Sequence, residues 1–276
     1  MNLRRFILLS ILTVFLPSCG SQRKLALEFF REQEEIHVLL LPPQEILKKY
    51  FPIHPDSIVG NDYDPFVLEH SKFIKEAEDS VLLALFMSSL KQSLEAFEVK
   101  VYGPADMQDF LNLDTSAYVF SLAQLELMEY LHEEIRYALL DTTLYEVAFN
   151  PVNLVHSQWF EFTELNHPER PMQVLYSAQY TGDVFDGKFR HNFLTGEMTY
   201  EFQPYRIGLG DVYQLSIFAG EKNAQFIFDF LLNKYVDDRI RKPRRMVDYL
   251  QYDRLENNIR RAYDDRFIRI NPSRAD

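Results

Sequence analysis

The spacing of apolar residues divides the chain into stretches of different period. Phe6 to Leu16 is an unbroken apolar run. Between Glu35 and Leu41, Ile36, Val38 and Leu40 alternate with their neighbours until Pro42-Pro43, which predicts a short buried strand. From about Val67 to Phe97 the period becomes helical: Leu83, Met87, Leu90, Leu94 and Phe97 recur at three and four residues, with Ser88, Lys91, Gln92 and Glu95 between them. Val81 to Met87 is apolar throughout, so enclosure on more than one side is expected there. Phe97 to Tyr102 reads as a strand, Ala105 to Leu113 as a short helix, and Ser116 to Tyr130 as a long strand. That alternation of strand and helix makes the strand from Ala117 the central one.

The second half has a different texture. Leu144 to Phe149, Leu154 to Phe162 and Val174 to Thr181 are rich in Val, Tyr and Phe and are separated by Asn150-Pro151 and Asn166-His167-Pro168. Asp186-Gly187 and Thr195-Gly196 carry hairpin signals, with Phe189 to Phe193 and Met198 to Tyr205 flanking the second. An antiparallel meander follows from these. Val212 to Ala219 is expected to add a strand that stops at Gly220. A helix is expected from Glu221 to Asp238 on the stripe Ala224, Phe228, Leu231, Tyr235. Met246 to Tyr263 shows only weak periodicity.

Charge and cysteine content then narrow the function. The 276 residues carry 29 Lys and Arg against 41 Asp and Glu, a formal charge of −12. Such an acidic chain is not expected to bind nucleic acid, which requires cations to neutralise phosphates. With one cysteine, neither a disulfide nor a thiolate metal site is expected. The seven histidines lack zinc-protease spacing, no phosphate-binding or dinucleotide glycine loop occurs, and no nucleophile elbow is present. No catalytic residue, metal site or cofactor is therefore assigned. Carboxylate pairs such as Glu126/Glu129 and Asp237/Asp238 have spacing that acid-base chemistry could use, and surface charge explains them equally well. On a strand, Trp159 and Glu161 share one face and His156 takes the other, which reads as an interfacial aromatic and a surface histidine.

The amino terminus carries the most specific signal. Arg4 and Arg5 precede the apolar run, and Leu16-Pro17-Ser18 leads into Cys19, the chain's only cysteine. The run is too short to span a bilayer, which takes about 20 apolar residues. This order of parts resembles the bacterial lipoprotein family, in which an aliphatic residue stands three before the modified cysteine and a small one directly before it. The resemblance implies cleavage before Cys19, a lipid on Cys19, and a charge that falls by the two arginines removed, to about −14. Gly20 stands where an aspartate would favour inner-membrane retention in enterobacterial lipoproteins. Ser21 to Lys24 lacks an acidic surface-export cluster. An outer-membrane site facing the periplasm is the resulting expectation.

The stretch LLALFMSSLKQSLEAFEVKVY followed by SAYVFSLAQLEL also resembles the αβ core of periplasmic lipoproteins related to the TolB amino-terminal domain and to transporter auxiliary lipoproteins. Ser116-Ala117 stands where those carry a small residue and an aspartate. That resemblance implies a non-catalytic envelope component working through protein contacts.

The resulting expectation is a signal peptide over 1–18, a tether over 19–34, one α+β domain over 35–240 and a basic tail over 241–276. In the domain, a mixed or largely antiparallel sheet packs against two main helices. Arg239, Arg241, Lys242, Arg244 and Arg245 crowd around Pro243 and read equally as cations that complement a helix end or as a docking segment for an anionic partner, with residues from Arg241 onward outside the fold. The leading function is an outer-membrane lipoprotein that scaffolds an envelope assembly with a protein partner. The alternative is a periplasmic enzyme or binding protein acting on glycan.

Overall fold

An apolar start at Ala117 to Phe120 and an alternating continuation to Leu131 form one fifteen-residue strand, β4, on which the sheet is assembled. The computed structural model describes residues 18–32, 36–57, 68–240 and 248–270. On one side β4 pairs antiparallel with β7 (Val152–Glu164) from Tyr118↔Glu164 to Leu131↔Val152. Its other side serves two short strands in tandem, both parallel to it. β1 (His37–Leu41) lies against Ala117 to Ser121, and β2 (Ile46–Phe51) against Leu125 to Tyr130. Pro42-Pro43 falls in the gap between them, where missing N–H donors cannot continue a ladder. The register of β4 against β7 shifts beside that gap, between Leu122 and Gln124.

β3 (Lys100–Tyr102) extends the sheet beyond β1, while β8 (Gln173–Gly182) and β13 (Ile268–Ile270) extend it beyond β7. The fold is α+β, with a mixed sheet packed against helices. Two hairpins continue from one end of the sheet. β5 (Glu134–Leu140) pairs with β6 (Thr143–Phe149), and β9 (Val184–His191) with β10 (Met198–Tyr205).

Helices cover one face. α1 (Ser18–Glu32) packs on the long helix α4, α2 (Asp79–Glu95) crosses α4, and α3 (Met107–Leu111) is a short connector. The segment expected as a tether therefore contributes to the core: Ala26 and Phe29 are buried, and Phe29 meets Phe228 and Tyr235 edge to ring. α2 buries Leu82, Phe86, Leu90 and Leu94, so its inward stripe is turned one residue from the expected Leu83 and Met87. The uniform run 81–87 contains no polar residue to fix that phase.

The expected strand at Val212–Ala219 is instead part of α4 (Leu209–Arg239), which passes through Gly220 without interruption. Its start is set by Asp211, whose carboxylate accepts the Gly208 N–H at 2.7 Å. Gly220 marks the closest approach of two backbones. A Cβ there would lie 2.5 Å from the Phe86 carbonyl oxygen, 2.9 Å from the Leu90 nitrogen and 2.9 Å from Ser89 Cβ. Beside it Ser89 Oγ donates to the Ile217 carbonyl at 2.8 Å. Gly187 is a second correction, because it lies inside β9 opposite Phe202. The chain turns between Asn192 and Glu197, where Gly196 takes φ +75°.

The segment expected outside the fold as a basic tail joins it. β11 (Tyr249–Asp253) and β12 (Asn258–Ala262) form a hairpin against α4, and β13 pairs with β8. Leu250 and Phe267 enter the core, Ile259 is partly buried, and Leu255 is exposed at the turn. The docking uses helix side chains in place of a neighbouring strand. Asn233 accepts the Leu250 N–H at 2.8 Å and donates to its carbonyl at 2.7 Å, while Asp229 accepts the Tyr252 N–H at 2.8 Å. Periodicity cannot reveal such a pairing.

Two glycines of α4 separate the effect of the helix crossing from helix propensity. Gly220→Ala gains about 1 kcal/mol of intrinsic propensity but forces two backbones apart at a cost of about 1–3 kcal/mol. It should lower the urea midpoint. Gly210→Ala meets nothing within 4 Å and should leave the midpoint unchanged or raised. Equal shifts in the two variants would show that the helices do not meet at Gly220.

Candidate interaction surfaces

The two hairpins stand on an aromatic seam. Phe149, the last residue of β6, stacks on Phe185 at 4.8 Å and contacts Tyr200 and Phe202 at 5.5 and 5.1 Å. Strand parity then decides what faces outward. On β5 and β6 the outer face presents Ile135, Tyr137, Leu139 and Leu144, with Leu139 paired across from Leu144. Leu139 is 71% exposed and Leu144 60%. At the tip of the second hairpin Phe193 and Leu194 are 89% and 97% exposed. An isolated exposed leucine means little, but a clustered apolar row rimmed by charge is the usual mark of a contact surface. Among the described residues β5 and β6 pair only with each other, as do β9 and β10, so strand edges there are open.

The sheet face away from the helices forms a second surface. Trp159 lies between Gln124 on β4 and Tyr176 on β8, with ring centroids of Trp159 and Tyr176 4.9 Å apart. Ser157 Oγ is 3.2 Å from the Tyr176 hydroxyl. Glu126 is buried on this face, bound to Lys49 Nζ at 2.7 Å and to the Gln124 amide at 3.3 Å. Tyr180 and Tyr130 continue the aromatic series toward His54, whose ring lies 5.1 Å from Tyr130 and 5.2 Å from His132. Burial raises the pKa of the Tyr130 and Tyr180 hydroxyls. Tyr180 raises that of Tyr130 further, and Tyr176 that of Tyr180. Trp159 and Glu161 do share this face. His156 does not lie at the surface, contrary to the sequence expectation.

His156 is fully buried on the helix side, stacked on Phe86 with ring centroids 5.5 Å apart. Burial lowers its pKa from 6.5 to about 3, so it is neutral, and Nε2 has no hydrogen-bond partner. Gln158, Ser177 and Asn223 share the surrounding hydrogen bonds, and Asn223 ties α4 to the sheet through Gln158 at 3.0 Å. Apart from His156 Nε2, these groups bond to one another within the core.

Glu126 and Glu129 are separated and both engaged. Glu129 faces the helix layer and accepts the N–H groups of Lys72, Phe73 and Ile74 at 2.6, 2.9 and 3.2 Å, whereas Glu126 faces the other way. Asp238 is bound by Arg170 and Lys234, which also bind Glu164, so β7 is clamped to the end of α4. Asp237 is not part of that clamp.

Of the basic cluster, Arg239 ends α4 with its guanidinium 3.6 Å from the Tyr235 ring centroid. Arg241, Lys242, Arg244 and Arg245 lie outside the described residues. Cys19 falls in the first turn of α1, and Arg4 to Leu16 lies outside the described residues. Among the described residues no three His, Cys, Asp or Glu side chains gather to hold a metal ion, and no helix is long and apolar enough to cross a membrane.

Sequence reasoning missed β5 and therefore the first hairpin. Glu133, Glu134 and Arg136 obscure its alternation, and its turn is made by Asp141 at φ +55° where glycine would have been the signal. No family model matches the chain, and no curated protein matches it.

Asp229 supplies a pH signature for the docking of β11. Burial pushes its pKa up from 3.8 to about 7, against the lowering effect of the Tyr252 N–H and Gln225 bonds. Between about pH 4 and 7 the folded chain holds a proton that the unfolded chain has released. This stabilisation is complete below about pH 4 and is lost as pH rises through 7. His156 acts in the opposite sense, because below 6.5 the unfolded imidazole binds a proton that the folded one refuses down to about 3. Asp229→Asn removes only the first effect. Wild type should therefore lose more than about 1 kcal/mol relative to this variant between pH 4 and 8 in urea titrations. A pH-independent gap would show that Asp229 titrates as an ordinary carboxylate.

Proposed function

We propose that this chain is a non-catalytic, lipid-anchored component of a bacterial envelope. It assists an assembly through protein contacts made by the two-hairpin arm. The observation that carries this reading is the outward row of Ile135, Tyr137, Leu139 and Leu144, with Phe193 and Leu194 at the neighbouring tip. Left in water, such a row forgoes about 25 cal/mol for each Å² of apolar surface that a partner would cover. The open edges of both hairpins add backbone donors and acceptors that an extended partner segment can pair with.

Polar chemistry supports the same reading. Glu126 and Glu129, one of the two pairs with spacing for acid-base chemistry, are bound to lysine and to backbone N–H groups on opposite sides of the sheet. Attachment through Cys19 rests on the Leu16-Pro17-Ser18-Cys19 signal. The preference for an outer-membrane, periplasm-facing site rests on Gly20 and on the lack of an acidic cluster after it.

The test uses the full-length protein in its native membrane, with a photo-crosslinking residue at position 139 or 144 and a control at 188 on the charged face of β9. Position 139 or 144 should give a discrete protein adduct that the control does not. With the crosslinker at 139, Leu144→Glu should abolish that adduct while changing stability by less than about 0.5 kcal/mol, since this side chain already faces solvent. Adducts with lipid alone, or none, would overturn the protein-contact reading. In the same membranes Cys19→Ala should release the protein into a salt wash, and retention would contradict the anchor.

A further inference from the structure

The helix-free sheet face is built differently from the arm. Several of its groups are held by buried polar residues: the Tyr176 hydroxyl by Ser157, and the Lys49 ammonium and Gln124 amide by Glu126. Desolvating a carboxylate to orient a lysine and an amide at a surface costs stability and leaves those donors fixed. Trp159, Tyr176, Tyr180 and Tyr130 form the aromatic series, and the residues between them on this face include small or short side chains, Ala178 and Val155. Tyr180 is 66% exposed. Trp159 and Tyr180 are offset by four residues in register, which is about 13 Å along the strand. At the Trp159 end, where the β1–β2 gap meets the β4 bulge, a cleft of about 280 Å³ is lined by Pro43, Glu45, Leu47 and Gln124 among others.

From this geometry we infer that the face is a binding platform for a β-linked pyranose chain, with the cleft at Gln124, the register neighbour of Trp159, holding one sugar. A pyranose ring presents an apolar C–H face that stacks on an aromatic ring and a rim of hydroxyls that needs fixed donors and acceptors. The platform supplies rings from Trp159, Tyr176 and Tyr180, and polar groups from Gln124, Lys49 and Glu45. Other ligands fit less well. Nucleic acid requires an excess of cations, and here the lysine is neutralised by Glu126. An apolar peptide requires pockets for alternate side chains, and a membrane surface requires an apolar or basic face. The site is separate from the arm, so it stands independently of the protein-contact reading.

Trp159 is the only tryptophan in the chain, so intrinsic fluorescence reports on the platform directly. Full-length protein in detergent would be titrated with chitohexaose and with cellohexaose. At least one should give a saturable spectral change below millimolar concentration. Tyr176→Ala should weaken that binding about tenfold. Tyr180→Ala, at an exposed position that does not affect folding, should weaken the hexasaccharide more than the matching disaccharide. Leu139→Glu with Leu144→Glu should bind sugar as wild type does. The absence of saturable change with either hexasaccharide up to several millimolar would overturn the platform. So would unchanged binding in both tyrosine variants.

Discussion

The close crossing of α2 and α4 at Gly220 is the constraint from which the remaining arrangement follows. With only hydrogen on Cα at that position, the backbones meet at Phe86 to Leu90, and Ser89 adds a hydrogen bond across the contact. Two helices that approach this closely can lie together on one face of the sheet. The crossing also fixes the rotation of α4, which is apolar on more than one side. One set of its residues, Leu215, Ala219 and Asn223, is buried in the helix-sheet layer. Another set, Asp229 and Asn233, meets β11. α4 is thereby packed by the sheet, by α1 and α2, and by the carboxy-terminal hairpin.

That one-sided arrangement has a functional consequence. Because the helices are on one face, the other face of a seven-stranded sheet keeps its aromatic and polar residues near solvent. The polar groups on the helix side, His156, Gln158, Ser177 and Asn223, are buried in the core. The arm differs again: its inner seam of phenylalanine and tyrosine is satisfied between the hairpins, and its outer row of leucine and tyrosine has no covering element among the described residues. Two surfaces of different chemistry thus lie on one scaffold, one suited to an apolar strand-like partner and one to a flat, hydroxyl-rich ligand.

The long strand β4 was legible because an apolar start and an alternating end run on without a breaker, and the mixed sheet with its two main helices followed from it. The phase of α2 was not legible, since Val81 to Met87 are all apolar and every rotation looks equally good. Gly220 read as the end of a strand because glycine interrupts strands more often than it lets two helices touch. β11 was missed because it docks on the side chains of Asp229 and Asn233, a pairing with no periodic trace. Parity alone placed Trp159 and Glu161 together. Recognising a platform also needed the register that sets Tyr176, Gln124 and Ser157 around Trp159.

The central claim is that α4 binds the carboxy-terminal hairpin into the same cooperative unit as the sheet, with Asp229 and Asn233 serving as its neighbouring strand. Amide hydrogen exchange tests this at two protons, the N–H groups of Leu250 and Tyr252, whose acceptors are those side chains. The account predicts that both exchange only through opening as costly as that of the β7 amides of Phe160 and Phe162. Exchange of Leu250 and Tyr252 at the rate of an exposed loop, while β7 remains protected, would contradict it and return the carboxy-terminal segment to the status of a separate tail.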